Sequence, residues 1–176
     1  MNYTKFEHQH RFAVWAAARA AQRNFTSIDM LREALEQTSL SDFAKERHTI
    51  ATAEVYNKKH IDWCRKIQSF LRENGIDNAT YGRAAKLVAV YLKSMIVLPF
   101  IESKQAEFIH PPIDRILLQN IAKKKGLDRR KKELLRETNW TQLDERSYFK
   151  LVKLLLEICG DEPFWKLEEY WTVTQS

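Results

Sequence analysis

Residues 79–98 read ATYGRAAKLVAVYLKSMIVL, and this stretch decides the fold class. Its apolar side chains recur at helical spacing and spread nearly all round a helix, with Leu87, Val88, Tyr91, Leu92, Met95 and Ile96 as the main stripe. A helix that is apolar on every side has to be surrounded by other elements. We therefore expect a central, buried helix over 79–98, ended or kinked by Pro99.

The other segments carry the helical period as well. Thr26-Ser27-Ile28-Asp29 has the spacing of a capping box, and an alanine-rich face over 6–23 favours close approach of a second helix. The predicted helices span 6–23, 28–35, 39–57, 58–74, 79–98, 111–121, 142–158 and 162–171. Four glycines and four prolines leave little room for the turns of an all-β fold. The sequence predicts an all-α protein: a single compact helical domain, 1–176, of about eight or nine helices.

The charge and the apolar runs of the sequence limit the classes of partner that the protein could bind. Lys and Arg number 29 against 23 Asp and Glu, and the net charge of +6 points to polyanions such as nucleic acid. No apolar run approaches the roughly 20 residues of a membrane span, and the polar N-terminus does not resemble a signal peptide. We expect a cytoplasmic protein with no membrane partner.

Metal and cofactor motifs are missing from the sequence. Cys64 and Cys159 form no ligand-spaced cluster, and His-Glu-x-x-His, Cys-x-x-Cys and glycine-rich phosphate loops do not occur. We expect both thiols to be buried, reduced and structural, and we expect no metal and no cofactor.

The stretch His110-Pro111-Pro112-Ile113-Asp114-Arg115 carries the candidate site. A proline pair followed by Asp at the start of an apolar helix places a carboxylate at the positive end of the helix dipole. An acid held there stays ionised, as electrostatic catalysis beside a developing cation requires. Alternatively, Asp114 only caps its helix. The residues themselves leave both interpretations open.

Basic and aromatic residues favour nucleic acid. Five tryptophans suit base stacking, although a core position is the alternative for each. The basic run over 123–132 suits phosphate contacts, and a solvated helix face is its alternative.

The chain resembles the helix-hairpin-helix superfamily of base-excision DNA glycosylases, the endonuclease III-like group. Residues 55–63 look like the helix that precedes the hairpin, and Tyr81-Gly82-Arg83-Ala84-Ala85-Lys86-Leu87 is similar to the second half of the hairpin motif. The segment 110–117 resembles the Pro-x-Asp segment that carries the family's catalytic aspartate. The order of these motifs covers most of the chain, from about residue 12 to 171.

This resemblance implies a DNA-glycosylase-like fold and base-excision repair of DNA or another nucleic acid. The hydrolase would extrude a nucleotide, and Asp114 would be the catalytic carboxylate that stabilises the oxocarbenium-like sugar and orients water. Gly82 would let the backbone approach a phosphate, and His110 would position water or a base, with a surface-loop histidine as its alternative. The expected nucleic-acid contacts are Gly82, Arg83, Lys86, Lys58, Lys59, Lys123, Lys124, Arg129 and Arg130.

Two departures from the family shape the expectation. Asp77-Asn78-Ala79-Thr80 replaces the glycine-rich first half of the hairpin, which normally grips a phosphate. Ala84 stands at the position of the Schiff-base lysine of bifunctional members, and Lys86 lies roughly 200° further round the helix. The resemblance therefore implies monofunctional hydrolysis of the N-glycosidic bond.

Two other functions stay open. The incomplete hairpin favours a non-catalytic helical module that binds nucleic acid or a protein partner. A small-molecule enzyme with a helical pocket is the third class, but the sequence reveals no paired acid and base for it.

Overall fold

A computed structural model describes residues 3–46 and 52–172, and every regular element within them is helical. This confirms the predicted all-α class. The α-helices of the described residues are α1 (Lys5–Ala21), α2 (Ile28–Glu36), α3 (Leu40–Lys45), α4 (Ala53–Glu73), α5 (Tyr81–Leu92), α6 (Lys104–Phe108), α7 (Arg115–Ile121), α8 (Arg129–Glu137) and α9 (Glu145–Cys159). A π-helical turn over Lys93–Val97 extends α5, and 3-10 helices occupy Trp140–Gln142 and Phe164–Tyr170.

Helix α5 lies at the centre of the fold, as its sequence predicts. Thr80 begins it, because its hydroxyl accepts a hydrogen bond from the Arg83 amide. Helices α1, α2, α3, α4 and α9 all pack against it. The buried face of α1 is built from small side chains, namely Ala13, Val14, Ala17, Ala18 and Ala21, which permit close approach of the two helices. The buried side chains of the helices, from Ala13 in α1 to Leu167 in the closing 3-10 helix, form one hydrophobic cluster.

The predicted helix over 79–98 is confirmed, with a change in its last turns. From Lys93 the chain widens into the π-helical turn, in which the Leu98 amide donates to the Lys93 carbonyl at 2.9 Å. The side-chain amide of Gln9 on α1 donates to the Ser94 carbonyl at 2.9 Å and reaches the Met95 carbonyl at 3.4 Å. The turn is therefore supported from outside the helix.

The predicted boundary between the helices at 39–57 and 58–74 is wrong. Helix α3 ends at Lys45, and α4 already begins at Ala53, where the Thr52 hydroxyl accepts from the Val55 amide. Apolar spacing alone could not locate this boundary, because a threonine can stand inside a helix as well as at its N-cap. Ile50, one of the apolar marks of the predicted helix, lies outside the described residues.

The second half of the chain is built on aspartate caps. Asp114, Asp128 and Asp144 begin α7, α8 and α9, and each accepts a bond from the amide three residues on. The connector at 100–109 is partly helical, since it contains α6. The closing 3-10 helix packs on α6, α7 and α9 and returns the chain to the start of α7. Within the described ranges, no helix is both long and apolar enough to cross a membrane.

Candidate functional site around Asp114

The carboxylate of Asp114 meets donors from three parts of the chain. The Leu117 amide donates to Oδ1 at 2.9 Å, which is the cap bond of α7. Lys86 Nζ donates to Oδ2 at 3.2 Å, and the indole Nε1 of Trp171 donates to the same oxygen at 3.1 Å. The cap predicted for Asp114 is confirmed, whereas its catalytic role stays a prediction.

The ion pair of Lys86 and Asp114 is largely withdrawn from water. The two side chains are 11% and 14% exposed. The ammonium of Lys86 also lies 4.6 Å from the centre of the Trp140 ring, a cation–π contact that adds to its positioning. Although Lys86 stands away from the family's lysine position, the structure brings it directly to Asp114.

A cavity of about 310 Å³ opens beside this ion pair. Its volume is at the lower end of the range of small-ligand sites, about 300 Å³ and above. One wall is apolar and comes from α1, α5 and the segments around them, with Phe12, Ala16, Ala20, Val90, Leu98 and Pro112. Phe12 and Trp171 are 57% and 38% exposed, so rings remain accessible where the cavity meets solvent.

A second ion pair lines the same cavity. Lys93 Nζ donates a short hydrogen bond to Glu168 Oε2, and the two side chains are 30% and 18% exposed. Lys93 opens the π-helical turn, and Glu168 belongs to the closing 3-10 helix. Burial raises the pKa of Glu168; the Lys93 ammonium opposes this rise, and the Asp114 carboxylate adds to it. The two carboxylates therefore interact electrostatically.

Sequence reasoning missed Lys93 and Glu168. Lys93 stands in the mostly apolar run 87–98, and a cation placed there beside Leu92, Met95 and Ile96 is the signal that could have drawn attention to it. Glu168 has no such signal, because nothing in its neighbours Leu167 and Glu169 distinguishes it from a surface carboxylate.

The structure corrects the prediction for Gly82. Its amide donates to the Leu143 carbonyl at 3.0 Å, and a Cβ at this position would stand 2.0 Å from the Trp140 carbonyl oxygen. Gly82 thus permits a close approach, but the approaching group is the backbone around the Trp140–Gln142 turn and not a phosphate. The segment that covers it begins 58 residues further on, at Trp140, so local sequence reasoning could not detect it.

The remaining residues predicted near the hairpin lie in different settings. The Arg83 guanidinium packs 4.4 Å from the centre of the Phe25 ring, and burial lowers its pKa. Its Nε is buried without a hydrogen-bond partner in the described part of the chain. Lys58 and Lys59 are exposed on α4, where Lys58 pairs with Glu54 at 2.9 Å.

The basic run at 123–132 occupies the connection of α7 to α8 and the first turn of α8. Lys123 donates to Asn120 Oδ1 at 2.9 Å, and Lys124 donates to the Ile158 carbonyl at 3.2 Å. Arg129 pairs with Glu133, whereas Arg130 lines a groove of about 570 Å³ between α8 and α9. Among the described contacts, none joins this run to Lys58, Lys59 or Asp114.

The prediction of a surface-loop histidine at His110 is wrong. His110 is buried; its Nδ1 shares a hydrogen bond with the Tyr148 hydroxyl at 3.1 Å, and its amide donates to the Tyr56 hydroxyl at 3.4 Å. A second buried histidine, His60, lies 4.7 Å away between ring centres and shares a hydrogen bond with the Tyr81 hydroxyl at 2.9 Å. We call His60, His110 and these three tyrosines the histidine–tyrosine cluster. Its burial prevents His110 from positioning water at Asp114.

Both histidines of the cluster are neutral. Burial lowers the pKa of His60 to about 3, and burial together with His60 lowers the pKa of His110 well below its usual range. The thiol of Cys64 lies 3.7 Å from His60 Nδ1, and burial raises its pKa. Both thiols are free, as predicted, but only Cys64 is buried, and the predicted burial of Cys159 is wrong because it is half-buried.

The tryptophans divide between core and surface. Trp63 is buried in the core, where its indole donates to Ser39 Oγ at 3.0 Å. Trp140 and Trp165 are half-buried, and Trp15 is exposed on α1, 6.0 Å from the Phe12 ring. The core alternative is therefore correct for Trp63, whereas Trp15 and Trp171 keep accessible ring surface.

Comparisons with known proteins place no further constraint on the site. The chain matches no protein-family model, no curated protein and no solved structure. In the described residues, no group of three or more His, Cys, Asp and Glu side chains is arranged to hold a metal ion.

Proposed function

We propose that this protein acts on nucleic acid as a monofunctional base-excision glycosylase, with Asp114 as its catalytic carboxylate. One observation carries the proposal: the Asp114 carboxylate, which accepts hydrogen bonds from three parts of the chain, lines a cavity instead of being enclosed by the core. A carboxylate in that position stabilises a cationic sugar as the glycosidic bond breaks. DNA is the proposed partner and the cytoplasm the proposed compartment, where free thiols such as those of Cys64 and Cys159 stay reduced.

Held by its neighbours, Asp114 is ready for this role without rearrangement. The Leu117 amide occupies Oδ1, and Lys86 with Trp171 occupies Oδ2. This arrangement fixes the carboxylate in one orientation, so that water and the sugar carbon meet a preorganised charge. Lys86 serves here as the partner of Asp114, which agrees with hydrolysis as the proposed reaction.

Unpaired cations beside the cavity support a phosphate-bearing substrate. Arg115 directly follows Asp114, is exposed, and forms no salt bridge in the described part of the chain. Arg19 lies on α1 one turn beyond Ala16, which lines the cavity, and is likewise exposed without an ion pair there. In the proposed function these two arginines replace the phosphate contact that Gly82 does not make.

A second candidate function is favoured by Gly82 itself. The Gly82 amide donates to the Leu143 carbonyl, so it is not available for the phosphate contact that the hairpin of the glycosylase superfamily makes with DNA. A helical module that binds nucleic acid or a protein partner without catalysis would need no such grip, and Asp114 would then be only a cap with an ion pair.

Binding to a cationic abasic-sugar analogue separates the two functions. We would compare an undamaged duplex with the same duplex carrying a pyrrolidine in place of one sugar, across a salt series. The glycosylase proposal expects at least about tenfold tighter binding of the analogue, because it mimics the charged sugar whatever base is removed. Asp114→Asn should lose that preference and keep the salt dependence, which comes from phosphate contacts. Asp128→Asn, which alters an exposed cap of the same kind, is the matched control.

The other outcomes decide between the alternatives. Equal, salt-sensitive binding of both duplexes would reject catalysis and leave a nucleic-acid module. A lack of binding to either duplex would reject both nucleic-acid functions and favour a protein partner.

A further inference from the structure

We infer that Lys93 and Glu168 form the recognition pair for the extruded base and select bases that carry a carbonyl beside an N–H group. This inference rests on the proposed glycosylase function, because it assigns the part of the cavity that the sugar does not occupy. The pair lies in the same cavity as Asp114, on separate elements: the π-helical turn and the closing 3-10 helix.

The geometry of the pair matches one edge of a base. A lysine ammonium only donates hydrogen bonds, and an ionised carboxylate only accepts them. Because Lys93 Nζ and Glu168 Oε2 are in direct hydrogen-bond contact, a donor and an acceptor stand side by side at the cavity surface. A carbonyl next to an N–H, as in uracil or hypoxanthine, presents the complementary acceptor and donor.

The surroundings of the pair suit a flat ring. Phe12 and Trp171 contribute exposed aromatic surface to the cavity, and Val90 and Leu98 complete an apolar wall. A base can therefore pack its faces on apolar groups while its edge meets the charges. Trp171 is also the residue that donates to Asp114, so one side chain both lines the cavity and holds the proposed catalytic carboxylate.

Charge explains why a carbonyl base is preferred to an amino base. When the bond from the sugar C1′ to the base nitrogen breaks, its electron pair goes to the base, and in a carbonyl base the negative charge spreads to oxygen. The Lys93 ammonium stabilises that charge. Water forms the new C1′–O bond and gives its proton to Asp114, while the base takes a proton from Lys93, which solvent replaces. In cytosine or adenine, the same acceptor–donor edge would set a ring nitrogen instead of a carbonyl oxygen against the Lys93 ammonium, and less of the departing negative charge lies on that atom.

Free bases test the inference directly. The duplex that carries the pyrrolidine would be titrated with protein in the absence and in the presence of millimolar uracil, hypoxanthine, cytosine or adenine. The readout is the ratio of the duplex Kd without base to that with base. In the wild type we expect a ratio of about ten or more with uracil or hypoxanthine, and about one with cytosine and adenine.

Two variants and one control make the assignment specific. Lys93→Met should reduce the ratio to about one. The double change Lys93→Met with Glu168→Leu removes both charges, so no unpaired ion stays in the cavity if the single variant folds poorly, and it should have the same effect. Lys166→Met breaks the exposed Lys166–Glu162 pair on the same segment and should leave the ratio unchanged.

The possible results distinguish a failure of the recognition pair from a failure of the proposed function. A wild-type preference for the pyrrolidine duplex without any effect of free base would overturn the recognition pair and leave the proposed function intact. The same holds if cytosine or adenine gives the larger ratio, or if the Lys93 variants keep the wild-type ratio. If the wild type shows no preference for the pyrrolidine duplex, the proposed function itself fails and the recognition pair with it.

Discussion

The histidine–tyrosine cluster and the Asp114 cavity both place polar side chains away from bulk water, but they do so in opposite ways. In the cluster the groups are neutral and enclosed, and each histidine nitrogen that faces a tyrosine shares a hydrogen bond with it. In the cavity, four charges are retained as two ion pairs, Lys86 with Asp114 and Lys93 with Glu168, next to an opening to solvent.

This difference indicates where function resides. Burial of an unpaired charge costs several kcal/mol, so enclosed groups become neutral or find partners. Neutral, satisfied groups in a closed cluster specify the packing of the core but have no access to a ligand. Charged groups at an opening to solvent lose only part of their hydration and remain accessible to a substrate, which catalysis or binding requires.

The largest expected effect comes from Gly82→Ala, which disrupts both regions at once. Helix α5 supplies Tyr81 to the cluster and Lys86 to the cavity, and Gly82 seats it against the Trp140 carbonyl. Because the new Cβ would overlap backbone at 2.0 Å, we expect a loss of at least about 3 kcal/mol in the free energy of unfolding, measured by urea denaturation. Gly126→Ala, at a position with a positive φ but open space, should cost only about 1 kcal/mol. Similar losses for the two variants would show that the contact at Gly82 yields easily.

Acid should destabilise the histidine–tyrosine cluster. The pKa of His60 is about 3 in the folded protein against 6.5 for an ordinary histidine. The stabilisation is complete above pH 6.5, and it is lost as the pH falls towards 3, since only the unfolded chain takes up the proton. From pH 7 to pH 5 we expect a loss of about 2 kcal/mol from His60 alone, with His110 adding to it. Urea denaturation at both pH values measures this, and the variant His8→Gln, at an exposed histidine, should retain the same pH dependence.

A flat stability between pH 7 and pH 5 would contradict the enclosed, neutral state of the two histidines.

Tyr148→Phe tests whether the hydrogen bonds of the cluster matter beyond its packing. The change leaves His110 Nδ1 buried without its partner, so we expect a loss of about 2 kcal/mol in thermal or urea denaturation. Tyr3 and His8 form the same kind of bond at 2.9 Å on the surface. Tyr3→Phe is therefore the matched control, and its expected effect is within about 0.5 kcal/mol because water replaces the lost partner. Equal effects at the two sites would mean that burial adds nothing.

Asp114→Asn gives the smallest expected change and defines the energetic role of the cavity. Asparagine caps a helix nearly as well as aspartate, but the ion pair with Lys86 is lost. We expect a cost of only about 1 kcal/mol beyond that of Asp128→Asn, since the Lys86 ammonium keeps its contact with the Trp140 ring and can still donate to the amide oxygen of the new asparagine. Adding Lys86→Met should recover part of this cost in urea denaturation, because no unpaired ammonium is left. If Asp114→Asn and Asp128→Asn cost the same, the ion pair contributes nothing to stability.

The sequence carried enough information for the helices and for the cap of Asp114, because both depend on neighbours within a few residues. Apolar spacing found α5, and the stretch Thr26–Asp29 predicted the start of α2, although the N-cap is Ser27 and not the Thr26 of the capping box. The partners of Asp114 were beyond this reasoning, because Trp171 arrives with the last described element of the fold.

Long-range contacts also explain the two clear errors at the site. Gly82 lies under a turn that begins 58 residues later, at Trp140, and His110 is enclosed by tyrosines from α4 and α9. The local sequence indicates neither contact. A histidine before two prolines is typical of a loop, and a glycine before an arginine is typical of a flexible helix start.

The π-helical turn over Lys93–Val97 has a consequence for the history of this chain. Such a turn is an α-helix that contains one additional residue, and removing that residue would rotate everything beyond it by about 100°. Leu98 would then leave the cavity, and the carbonyls of Ser94 and Met95 would no longer need the amide of Gln9. We expect a related protein that is one residue shorter in this turn to lack the glutamine at position 9 as well. Relatives that have both the additional residue and the glutamine would then be those in which the cavity has its present shape.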